Sequence, residues 1–142
     1  MGKTVMQRIY AAWAWIILAA VVVQVFLAGL YVFGISSIEA HAINGTFVLF
    51  ATLLGGIFAL VARVPGRVAG WSWGLFGLVI LQVLLIEVGN SAGVPLIKAF
   101  HVVNAFAVFA LAGVLARQAS AYFAGAPGSE ARPAATPHPA VR

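Results

Sequence analysis

The chain has 142 residues, of which 63% are hydrophobic and 8% are charged, whereas a soluble domain carries about 25% charged residues. A soluble fold of this size would have too little polar surface to face water, and with no cysteine disulfides, thiolate metal sites, iron–sulfur clusters and CxxC redox chemistry are excluded as well. The net charge of +5 is spread singly between apolar runs, which does not make the clustered basic surface that nucleic acid requires.

The apolar runs, in chain order, predict four membrane-spanning helices. The first, about 10–33, follows Lys3 and Arg8 and is longer than the 7–15 apolar residues of a secretory signal, so it is read as a retained helix. The second covers about 40–61, the third 69–88 and the fourth 96–115. Each has the ~20 residues that a helix rising ~1.5 Å per residue needs to cross a ~30 Å hydrocarbon layer. Residues 119–142, rich in Ala, Pro and Gly without apolar periodicity, are expected to be a disordered cytoplasmic tail, leaving residues 1–118 as the bundle. His138, in that tail, has nothing around it to form a site.

Seven of the eight cations lie on one side of these spans: Lys3, Arg8, Arg63, Arg67, Arg117, Arg132 and Arg142. Only Lys98 falls on the other. The positive-inside rule then puts both termini in the cytoplasm and the first and third connections outside. The expected location is a bacterial cytoplasmic membrane.

The sequence also repeats itself. A shift of 58 lays Trp13, Trp15, Val21, Gln24, Val25 and Leu27 on Trp71, Trp73, Val79, Gln82, Val83 and Leu85. A shift of 60 lays His41, Asn44 and Val48 on His101, Asn104 and Val108, with Gly45 against Ala105. Both halves enter the membrane in the same direction, so the duplication is parallel, about an axis along the membrane normal. The fold class expected is therefore all-α: an integral membrane, up-down-up-down four-helix bundle with an internal two-helix duplication.

Polar side chains inside apolar spans are costly enough to be functional candidates. His41, Asn44, Gly45 and Val48 stand at i, i+3, i+4 and i+7, and His101, Asn104, Ala105 and Val108 form the equivalent stripe. Each histidine looks over a small residue one turn deeper, which would let a flat macrocycle lie against the helix. In an up-down-up-down bundle the two histidine-bearing helices are diagonal, about 13–14 Å apart for adjacent axes about 8–10 Å apart. That gap suits one iron with an imidazole on each side. The ordinary alternative for a single histidine at a helix end is a ring in the headgroup layer. Two histidines and no carboxylate on their stripe make only half of a tetrahedral zinc site.

Asn44 and Asn104 are candidates to donate to propionates or waters, or to bridge helices. Gln24 and Gln82, read as near mid-membrane, are either helix-to-helix glue or contacts to the buried edge of a cofactor or quinone. Lys98 is a candidate partner for a propionate. Glu87, opposite Gly29 in the repeat, could pair with Lys98, hydrogen-bond an axial histidine, relay protons or simply be hydrated at the interface. The tryptophan pairs read as an aromatic belt.

With these residues in place, the chain resembles the small bacterial four-helix membrane cytochromes b and, more distantly, one half of haem A synthase. The resemblance covers about residues 8–118 and rests on the repeat and the His-x-x-Asn-small pattern at His41 and His101. It implies one haem b ligated by His41 and His101, and a protein that transfers single electrons within the membrane with a quinol or an outer-facing redox protein as partner. Whether the chain is itself an enzyme stays open, with electron transfer the expectation. Two other classes are carried alongside it: a cofactor-free small transporter or binding bundle, and a haem carrier or assembly factor. Gly70, Gly74 and Gly77 on the third run suit either internal packing or a homo-oligomer.

Overall fold

The computed structural model describes residues 5–124. Four helices make up almost all of it: α1 (Val5–Val32), α2 (Ile38–Val61), α3 (Gly66–Ser91) and α4 (Pro95–Ala124). Every one is long and apolar enough to cross a membrane. The chain is thus a multi-pass membrane protein. Helix α4 continues to Ala124, beyond the expected end at 115 and into the stretch read as tail; the remainder of that stretch, with His138, Arg132 and Arg142, lies outside the described residues, as does Lys3.

Each helix packs on two others around a closed ring, α1 on α2, α2 on α3, α3 on α4 and α4 on α1. Helices α1 and α3 are diagonal, and so are α2 and α4. This is the up-down-up-down bundle, and its paired halves α1·α2 and α3·α4 match the internal duplication.

Much of the interior is built from small side chains. Ala51, Ala59, Ala112, Ala116 and Ala119 are fully buried, while Phe26, Phe106 and Val102 point outward. In lipid there is little to gain by hiding large apolar groups, so close approach of backbones and dispersion set the packing instead. Polar anchors cross the core at the arginine-bearing end. The Tyr10 hydroxyl meets Ser72 Oγ at 2.8 Å across the α1–α3 diagonal, and Trp13 Nε1 donates to the Ala51 carbonyl at 2.9 Å. Trp13 is therefore a packing residue rather than part of an aromatic belt. Trp15, half-exposed, donates to Ser120 Oγ at 2.7 Å, and the Arg67 guanidinium lies over the Trp71 ring at 4.4 Å; both suit an interface.

The first three helices end alike. In each, the residue past the cap adopts a left-handed conformation and two main-chain N–H groups turn back onto the final carbonyls: Gly34 and Ile35 onto Tyr31 and Leu30, Arg63 and Val64 onto Leu60 and Ala59, Gly93 and Val94 onto Asn90 and Gly89. These are Schellman turns, which satisfy carbonyls that lipid could not. Gly34 and Gly93 take the positive φ freely, at 71° and 66°, but the middle turn carries Arg63 at 52°.

Candidate ligand site between His41 and His101

The sequence stripes meet as expected at the end opposite the arginines. His41 enters from α2 and His101 from the diagonal α4, with ring centroids 6.4 Å apart and planes inclined by 58°. Both rings are half-buried.

The two rings are held in the same way by the paired glutamines. His41 Nδ1 lies 3.2 Å from the Gln24 main-chain carbonyl, and His101 Nδ1 lies 3.1 Å from that of Gln82. A carbonyl can only accept, so the proton sits on Nδ1 and each Nε2 carries a lone pair. The same glutamines return with their side chains: Gln24 Nε2 approaches His41 Nε2 at 3.0 Å, and Gln82 Nε2 approaches His101 Nε2 at 3.4 Å. The amide N–H is the donor in both contacts.

The asparagines complete each centre. Asn44 Nδ2 donates to Gln24 Oε1 at 2.6 Å and to the Ala20 carbonyl at 3.0 Å. Asn104 Nδ2 likewise donates to Gln82 Oε1 and to the Leu78 carbonyl. Gln24 Nε2 also donates to the His41 carbonyl at 3.0 Å. Each half of the protein therefore has an Asn–Gln–His chain linking its two helices, and no buried side-chain polar atom among the described residues lacks a partner.

This arrangement revises two expectations. The glutamines sit at the level of the histidines rather than deeper, because α1 and α3 overhang the starts of α2 and α4: Gln24 is about 12 Å below the top of its helix, but His41 only about 5 Å. The small residue below each histidine has a use other than clearing space for a macrocycle. A Cβ on Gly45 would lie 3.0 Å from Gln24 Nε2, so Gly45 makes room for that amide. Ala105, its counterpart, has a Cβ, and the Gln82 amide there stands farther from its histidine.

Lys98 and Glu87 are not drawn in. Both are exposed, and among the described residues neither pairs with the other nor bonds a histidine through its side chain; the side-chain hydrogen bond that reaches Glu87 runs from Ser91 Oγ to its main-chain carbonyl. The stem of Lys98 lies across Gly89, where an added Cβ would meet its Cγ and come within 3.1 Å of its main-chain nitrogen. Among the described residues no three His, Cys, Asp or Glu side chains come together. An ion needing three or more protein ligands is not provided for by these groups.

Residues 24–90 match the model of a family of unknown function (DUF6220). The match begins at Gln24 and takes in His41, Asn44 and Gln82, but stops short of His101 and Asn104. No curated protein and no solved structure matches the chain.

Proposed function

We propose that the two histidine centres form one binding site on the pseudo-two-fold axis, taking a single guest between their Nε2 atoms, and that this guest is a b-type haem. The observation that carries the reading is the 6.4 Å between ring centroids. That separation would let His41 and His101 hold one group in common. The donor set agrees: His41 and His101, each with Nδ1 on a main-chain carbonyl, would hold the haem, which asks for few protein ligands.

Bound haem would supply one-electron redox chemistry, with no open position for dioxygen when both imidazoles ligate. The chain's own residues do the positioning. The Gln24 and Gln82 carbonyls fix each imidazole as its Nδ1–H tautomer and strengthen Nε2 as a donor. Their amides must turn away from Nε2 before a guest can be held, and Asn44 and Asn104 keep the amide oxygens in place until then. The proposed role is electron transfer within the membrane, to or from a quinol or a redox protein.

The visible spectrum of detergent-purified protein, oxidised and dithionite-reduced, tests this directly. A six-coordinate low-spin spectrum is expected, lost in His41→Ala and in His101→Ala alike. Protein that stays colourless when expressed with added haem would sink the reading.

One observation favours a second reading, a cofactor-free binding or transport bundle. Both nitrogens of each histidine already have partners within the protein, so the network closes without a guest. Colourless, stably folded protein would point there, and Glu87 would then be the acidic group to examine first. A haem carrier would share the spectrum but release haem rapidly to apomyoglobin. For orientation we propose that the end bearing Arg8, Arg63, Arg67 and Arg117 faces the bacterial cytoplasm and that the histidines lie toward the outer leaflet.

A further inference from the structure

The duplication is broken on one outer face. Between α1 and α4 a groove of about 300 Å³ is lined by Trp15, Leu18, Phe109, Ala110, Gly113 and Arg117. The repeat-related face, between α3 and α2, carries Phe50, Leu53 and Ile57 where this one has Ala110, Gly113 and Arg117. There Trp73 lies over Gly56, where an added Cβ would come within 3.0–3.2 Å of its ring. One half of the protein thus carries large apolar side chains at this position. The other leaves it open and puts a cation at its end.

We propose that this groove binds one anionic phospholipid, with its phosphate on Arg117 and an acyl chain running past Gly113 and Ala110 toward Phe109 and Leu18. The face lies on the membrane-spanning part of the bundle, so the molecules available to it are amphiphiles. Charge complementarity chooses among them: Arg117 is exposed and has no ion-pair partner among the described residues, and guanidinium pairs with phosphate through two parallel hydrogen bonds. Trp15, its indole N–H already given to Ser120 Oγ, offers a ring against the upper acyl chain and glycerol region. A zwitterionic lipid fits the same cavity but brings its own cation to the guanidinium.

Trp15 serves as the reporter, with Trp71 and Trp73 replaced by Phe so that the ring beneath Arg67 does not contribute. The full chain is reconstituted in phosphatidylcholine vesicles containing a small fraction of phosphatidylglycerol or of phosphatidylcholine with brominated acyl chains, and tryptophan quenching is compared. Phosphatidylglycerol is expected to be enriched at the groove about fivefold, the effect of one basic residue near an anionic lipid, giving quenching in excess of that by phosphatidylcholine. Trp15→Phe and Arg117→Gln should each abolish the excess. Ala110→Phe combined with Gly113→Leu, which gives this face the residues of its repeat, should abolish it too. Equal quenching by both lipids would overturn the proposal, as would an excess that survives Arg117→Gln, or one that survives filling of the groove. Arg117→Gln is a surface change remote from the core, so the test does not depend on the double variant folding.

Discussion

At the level of single residues, the histidine centres show how a short polar motif is completed from another helix. The repeat His-x-x-Asn-small was legible because its spacing puts it on one face of one helix. That Gln24 and Gln82 tie helices together was legible too, but not that they meet the histidines, since whether Gln24 meets His41 depends on how far α1 overhangs α2. The two centres also differ in an informative way. Where position 105 is Ala, the Gln82 amide is 3.4 Å from its histidine; where position 45 is Gly, the Gln24 amide is 3.0 Å away. Gly45→Ala should therefore turn the first centre into a copy of the second, with less than about 1 kcal/mol lost, the scale of one intramembrane hydrogen bond. Gly45→Leu overfills the site and should cost about 1–3 kcal/mol. Thermal unfolding in detergent checks both, and under the haem reading the Leu variant should also lose its low-spin spectrum.

At the level of elements, the turns hold what strain the backbone shows. Gly34 and Gly93 occupy their left-handed positions without penalty, while Arg63 holds the same conformation with a Cβ, at a cost of roughly 1 kcal/mol. Arg63→Gly should therefore raise stability by about that amount, and Gly34→Ala or Gly93→Ala should lower it by about 1 kcal/mol, each read from the unfolding midpoint in detergent. An unchanged midpoint in Arg63→Gly would mean that the arginine side chain offsets its backbone strain. A reason to keep arginine there is its charge, at an end where positive residues orient the chain. The helices themselves were legible as apolar runs, but their ends were not. Helix α4 runs to Ala124 because Arg117, Gln118 and Ser120 are compatible with helix beyond the apolar run, with Ala119 fully buried against the bundle and Ser120 bonded to Trp15.

For the whole molecule, the distribution of charge yields a topology that can be tested cleanly, since a chain without cysteine is already a background for labelling. A single cysteine replacing Ser36 or Ser91, at the histidine end, should react with an impermeant maleimide added outside intact cells. One replacing Val64, in the α2–α3 turn, should react only after lysis. The reverse pattern would invert the proposed orientation and move the histidine site to the cytoplasmic half.

Much of the architecture follows from composition. Apolar runs of membrane length can only be helices in lipid, because no water is present to satisfy their backbone groups. Their number and the parallel duplication therefore follow from the chain alone. So does the pairing of His41 with His101, because like positions in the two halves face the same axis. Tertiary structure decided what stands around that pair: the glutamine carbonyls that fix the tautomer, the amides that meet Nε2, and the separation of Lys98 and Glu87 from the rings. It also decided where the symmetry fails, leaving a groove beside Trp15 and Arg117. Those features depend on the axial offset and facing of different helices. Packing of small residues sets these, and no local periodicity encodes them.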